Sequence, residues 1–161
     1  MIALGIDPGL ASTGWGVVAQ IHSRFKMIDY GFFSTTAGLP IGERLLIIHG
    51  EVQKLIRQFK PDVCGVETLY FSKNISSALP VAQSRGVILL VLQQHAIPII
   101  ELAPNQIKKS VVGIAKAQKE QVSEMMRILL GLSEVPKPSH AADALAMAYC
   151  ALSPQGVIHV P

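Results

Sequence analysis

The sequence predicts an α/β fold, a mixed sheet flanked by helices in a single domain spanning residues 1–161. Three observations carry that expectation. The opening of the chain holds three consecutive β-rich runs, "IALGID", "TGWGVVAQ" and "FKMIDYGFFST", close enough in sequence to pair as an antiparallel start. From Pro40 onward the apolar period becomes helical, and short apolar strands then alternate with helices, which implies a parallel continuation of the same sheet. Half of the 161 residues are hydrophobic, enough to bury a sizeable core, and no repeat, low-complexity tract or linker divides them.

The elements follow in order. "IALGID" ends where Asp7 meets Pro8-Gly9, because a residue before proline is pushed toward extended backbone and the pair then turns the chain. Leu45, Ile48, Val52, Leu55, Ile56 and Phe59 recur at helical spacing and predict an amphipathic helix that stops near Lys60-Pro61. "DVCGVE" is a short apolar strand that again ends on a carboxylate, Glu67. An apolar helix is expected from Ile75 to His95, and "IPIIEL" is another buried strand. Pro104 suits the first turn of a short helix; Val122, Met125, Met126, Leu129 and Leu130 form a second helical stripe closed by Gly131. Ser139 is expected to cap the last helix, "SHAADALAMAYCAL".

Composition excludes several classes of function. The run "GVILLVL" is far shorter than the ~20 residues a membrane-spanning helix needs. Met1 leads straight into "IALGI" without the basic segment and cleavage site of a secretory leader, so the expectation is a soluble, cytoplasmic protein with no membrane partner. Cys64 and Cys150 lie far apart in apolar contexts and are expected to be buried, reduced thiols. A net charge of +3 is only weakly basic, but Lys108, Lys109, Lys116 and Lys119 fall in one interval without an acid. By itself such a cluster is as readily a solvated helix face as a polyanion site.

The chemistry is carried by acids at strand ends. If the strands of Asp7 and Glu67 are neighbours, both carboxylates converge where the chain leaves the core. His140 and Asp143 add an imidazole and a third carboxylate at i, i+3 on one face of the last helix. Such a group repels itself unless a cation neutralises it, and hard oxygen ligands suit Mg²⁺ or Mn²⁺. Two ions in one site would serve phosphodiester hydrolysis, one activating water and the other stabilising the leaving oxygen. Each residue has a plainer role available: Asp7 in turn chemistry, Glu67 at a strand-end surface, Asp143 beside the helix dipole. Against those stands the conjunction, and the sequence has no G-x-S-x-G elbow, Walker loop or paired C-x-x-C to compete with it.

Taken as a series, "GIDPG", "TGWGV", "VETLYFSKNISSAL", "QSRGV", "NQIKKSVVGIAKAQKEQV" and "HAADALAMA" resemble the RuvC family, the bacterial Holliday junction resolvases of the ribonuclease H-like superfamily. The resemblance implies a ribonuclease H-like mixed five-stranded sheet. It implies a homodimeric, metal-dependent endonuclease that nicks a four-way DNA junction in symmetric pairs during recombination and repair, beside a branch-migration complex of RuvA and RuvB type. Asp7, Glu67 and Asp143 match the family's catalytic acids. His140 departs from the aspartate found at that position in many members; a neutral imidazole ligates Mn²⁺ through nitrogen but adds no negative charge. The resemblance also assigns Lys108 and Lys119 to DNA, and with them Lys73, Lys109 and Lys116. It places Tyr70, and less directly Phe71, where an aromatic stacks on a base at the junction centre, an interaction of ~1–3 kcal/mol. Arg85 is either a DNA contact or a surface residue on the apolar helix, which is itself the expected dimer face. Two other readings share these residues: a related nuclease acting on another structured nucleic acid, and a junction-binding scaffold that does not cut.

Overall fold

The structure, a computed structural model, describes residues 1–69 and 75–153. Strands β1 (Ile2–Asp7), β2 (Ser12–Ile21) and β3 (Arg24–Ser34) form an antiparallel meander. On the other side of β1, β4 (Val63–Glu67) and β5 (Ile99–Leu102) add in parallel, giving a five-stranded mixed sheet of order β3-β2-β1-β4-β5. The helices are α1 (Ile41–Phe59), α2 (Ile75–Gln94), α3 (Pro104–Val112), α4 (Lys119–Leu129) and α5 (Ser139–Leu152). The α/β class, the mixed sheet and the strand count agree with expectation.

Each face of the sheet has its own core. Leu4, Ile6, Val17 and Val66 pack against Ile48 and Val52 of α1 and Ile88 and Leu92 of α2. Ala3, Val18, Val63 and Leu102 pack on the other face beneath Leu145 and Met147 of α5, with Ile107 of α3 and Met126 of α4 in the same cluster. The twofold period of a strand therefore sorts β1 into Leu4 and Ile6 on one side and Ala3, Gly5 and Asp7 on the other. The same period sorts β4 into Cys64 and Val66 against Val63, Gly65 and Glu67. Both acids thus belong to the α5 face, one step beyond a glycine.

That glycine step positions the helix. Gly16, Gly5 and Gly65 lie abreast on three adjacent strands. A Cβ built on Gly5 would fall 1.9 Å from the Ala144 carbonyl oxygen, and one on Gly65 would fall 2.5 Å from that of Met147. On Gly14, which faces Asp7 across the β1–β2 ladder, a Cβ would fall 2.3 Å from the His140 carbonyl oxygen. Close approach, and not turn conformation, is what requires glycine here. The alanines of "SHAADALAMAYCAL" match that requirement from the helix side, where Ala141, Ala144, Ala146 and Ala148 are completely buried.

Two local expectations change. Pro138, already extended at φ −69° and ψ 174°, occupies the cap position of α5, so Ser139 becomes the first helical residue and makes no capping hydrogen bond. The apolar helix ends at Gln94, one residue short of His95. Lys60 closes α1 in the left-handed region at φ 46°, directly before Pro61, which stops the helix where proline predicts. Cys64 and Cys150 are both free and buried.

Candidate active site

Asp7 and Glu67 lie at the carboxyl ends of parallel neighbours, since Ile6 pairs with Val66. The first turn of α5 crosses above them, because Gly14 and Gly5 let the helix descend onto the sheet. His140 Nδ1 comes to 3.2 Å from Asp7 Oδ2. Ligand atoms of Asp7, His140 and Asp143 all lie within 4.8 Å of one another. Glu67 stands outside that trio but lines the same cleft, about 490 Å³ in volume, whose walls also include Ser12, Lys108 and Lys119.

The loop after Asp7 is held in place. The Thr13 hydroxyl, almost fully buried, donates to the Gly9 carbonyl at 2.7 Å. Farther along, the Thr35 hydroxyl donates to the Leu10 carbonyl at 2.6 Å and itself accepts from Arg44 Nε at 2.7 Å. Neither threonine stood out in the sequence, where Thr13 is ordinary near the start of a strand and Thr35 just past the end of one. The signal that could have exposed them is the need of a Pro-Gly turn for side chains to accept and donate where strand pairing ends.

The acids are electrostatically uncomfortable together. Burial raises the Asp7 carboxyl above its usual range, and Asp143 raises it further, outweighing the opposing effects of His140 and Lys119. Burial, Asp7 and Asp143 push Glu67 up to about 7, against the lowering influence of Lys119 and Lys108. Lys119 sits 2.6 Å from Asp143 through Nζ. Burial works against its charge, but the hydrogen bond and charge of Asp143 prevail and raise it. Three oxygen donors and one imidazole, crowded and under-neutralised by lysines, are a chemically suitable set for a hard divalent cation.

The remaining expected contacts separate into groups. Lys108 and Lys119 border the cleft; Lys109 and Lys116 are exposed, on α3 and on the turn that leads to α4. Arg85 is engaged within the protein: its side chain is 15% exposed, paired with Glu101 and bonded to the Glu67 carbonyl. Tyr70, Phe71 and Lys73 lie outside the described residues. Glu101 was not singled out in the sequence, where "IPIIEL" is expected to be a buried strand; β5 is instead an edge strand, and the Glu101 side chain is half exposed, so its partner was not demanded by burial.

Comparison with known proteins places this arrangement. The family described as crossover junction endodeoxyribonuclease RuvC matches residues 3–151. A protein of that name from Treponema denticola is 52% identical over 145 residues, covering 90% of this chain and 82% of its own. The structure of Thermus thermophilus RuvC superposes with a TM-score of 0.84 at 34% identity, covering 92% of this chain and 91% of that one. A second structure, T. thermophilus RuvC in complex with Holliday junction substrate, gives 0.83 at 33% identity, over 92% of this chain and 90% of that one. With four-fifths or more of each chain aligned and the acids converging at one sheet edge, this protein belongs to the RuvC family of crossover junction endodeoxyribonucleases.

Proposed function

We infer that the protein is a Holliday junction resolvase, a hydrolase that cuts phosphodiester bonds at a four-way DNA junction in recombination and repair. The observation that carries this reading is the meeting of Asp7, His140 and Asp143 within one ligand-sized radius, with Glu67 in the same cleft and lysines on its wall. The relative solved with Holliday junction substrate supports the choice of DNA.

The roles divide by chemistry. Asp7, Glu67, His140 and Asp143 would together hold divalent metal, Mg²⁺ or Mn²⁺, in two positions. When bound, such ions activate water for in-line attack and neutralise charge on the leaving oxygen. The chain's own contribution is to fix the carboxylates at strand ends and to exclude bulk water along the buried side of the cleft. Lys108, Lys109, Lys116 and Lys119 would take the phosphates that bring a scissile bond to the acids, contacts that carry no sequence information. By the family resemblance, Tyr70 or Phe71 would stack on a base at the junction centre and Lys73 would contact DNA.

Two symmetric nicks call for two sites related by a twofold axis, so the acting form is a homodimer. Exposed Leu79 and Leu90 on α2, with Leu46 on α1, favour that side of the molecule for the partner subunit. No helix among the described residues is long and apolar enough to cross a membrane. The proposed setting is the bacterial cytoplasm, with a branch-migration complex of RuvA and RuvB type.

The deciding experiment compares a labelled mobile four-way junction with linear duplex and RNA–DNA hybrid, in Mg²⁺ or Mn²⁺, for wild type and Asp7→Asn. Paired nicks on the junction alone are expected, reduced by roughly 100-fold or more in the variant while junction binding persists. Preferential cutting of the hybrid would redirect the reading to another ribonuclease H-like substrate. Binding without cutting in any metal would identify a scaffold.

A further inference from the structure

Arg85 projects from α2, the helix that packs on the sheet face opposite α5 and reaches the cleft one turn earlier at Val81. Its Nε–H donates to the main-chain carbonyl of Glu67 at 3.0 Å, and a terminal guanidinium nitrogen pairs with Glu101 Oε2 on β5. Glu101 is in register with Val66, so its side chain shares the α2 face with that residue. One planar group thereby ties a helix to the ends of two strands. Beside it, the Thr68 N–H donates to the Leu102 carbonyl at 2.9 Å, and the Thr68 hydroxyl donates to the same oxygen at 3.3 Å. The last peptides of β4 are thus gripped from two directions immediately beyond the residue that carries the carboxylate.

That carboxylate points to the α5 face of the sheet, and the contact Arg85 makes is to the Glu67 carbonyl oxygen. Arg85 therefore meets Glu67 through its backbone. We propose that Arg85, anchored by Glu101, is a positioning residue that sets the place of the Glu67 carboxylate in the cleft by holding its peptide. The proposal rests on the reading of Glu67 as a catalytic acid. A direct phosphate contact would need a guanidinium open to solvent, whereas this one is 15% exposed and already faces a carboxylate. An ordinary surface ion pair would not reach a main-chain carbonyl at the end of a catalytic strand. Arginine is required chemically because its rigid fork satisfies two acceptors in fixed directions, which a lysine ammonium on a flexible stem does not reproduce.

The test uses full-length wild type, Arg85→Lys and Glu101→Gln. Three quantities are measured: junction affinity in chelator at two salt concentrations, single-turnover junction cleavage at saturating protein, and the Mn²⁺ concentration that gives half of the metal-induced rise in Tm. Positioning predicts that Arg85→Lys cuts roughly 10- to 100-fold more slowly, the usual consequence of a small misplacement. It also predicts a several-fold higher half-saturating Mn²⁺ and unchanged affinity and salt slope. Glu101→Gln, which keeps a neutral acceptor, should move the same two quantities less. A DNA contact would instead weaken affinity and flatten the salt slope by about one, with cleavage at saturation intact, and would overturn the proposal. So would wild-type behaviour in all three assays, or a loss of Tm and affinity with no change in the Mn²⁺ response. If wild type fails to cut the junction, the functional reading fails separately, and the Mn²⁺ titration still decides whether Arg85 acts on the site.

Discussion

Lys119 Nζ lies 2.6 Å from Asp143 Oδ2, so the acid on α5 has a counter-cation supplied by the N-terminal residue of α4. A divalent ion entering the trio must compete with that ammonium for Asp143. Lys119→Met is therefore expected to tighten metal binding while weakening cleavage. Half-saturating Mn²⁺, read from the rise in Tm, should fall, because the competitor is gone. Junction cleavage at moderate salt should also fall, with the salt dependence of binding shallower by about one phosphate contact. Weaker metal binding in the variant would show that Lys119 supports the ion instead of opposing it.

A pH prediction follows from Glu67. Burial, with Asp7 and Asp143, moves its carboxyl from 4.5 to about 7 in the folded protein. Between those values the folded state binds more protons than the unfolded chain, so this group's contribution to stability declines as pH rises through the window. Asp7, raised by burial and by Asp143, adds to the same trend. In chelator, Glu67→Gln should gain Tm relative to wild type as pH rises from 5 to about 7.5, and the gain should level off above that. A difference that stays flat, or that narrows with pH, would refute the assignment.

His140 gives the trio a nitrogen donor, and its ring approaches Asp7 at 3.2 Å. Replacing it by aspartate supplies another hard oxygen and one more negative charge, which favours Mg²⁺ relative to Mn²⁺. The ratio of Mn²⁺-supported to Mg²⁺-supported cleavage at matched concentrations should therefore drop in His140→Asp. An unaltered ratio would remove His140 from the metal shell.

The glycine contacts give a stability prediction with an internal control. Gly5→Ala forces a Cβ into the Ala144 carbonyl, an overpacking expected to cost about 1–3 kcal/mol or more. Gly14→Ala should also slow cleavage well below its Tm, because it presses on His140 itself. In contrast, Gly50→Ala on α1, where an added Cβ meets nothing within 4 Å, should stabilise by about 0.5–1 kcal/mol. Thermal denaturation of the three variants checks all of this at once.

Local signals in the sequence reached far where the chemistry is periodic. Asp7 and Glu67 were legible because a charged residue ending an apolar strand contradicts its surroundings, and the i, i+3 spacing of His140 and Asp143 places both on one helix face. Their meeting depended on pairing between β1 and β4, some sixty residues apart, which strand alternation suggests but does not specify. Less legible was everything decided by long-range side-chain geometry. Nothing near Arg85 in sequence announces Glu101 or the Glu67 carbonyl, and the interval rich in lysines does not reveal that Lys119 turns toward Asp143 while Lys116 faces solvent. The row made by Gly16, Gly5 and Gly65 emerges only when three strands lie side by side.

That row has a mechanical meaning. Over Gly5 and Gly65 the main chain of α5 rests directly on the main chain of the sheet, while over Gly16 the Leu145 side chain fills the gap. The helix that carries Asp143 is thereby held over the strand that carries Asp7 by backbone contact, like the gauge of a rail. Volume changes in the core on the α1 and α2 side leave that backbone contact in place. Cleavage of pre-bound junction should accordingly follow a straight Arrhenius line up to the unfolding transition and then fail abruptly.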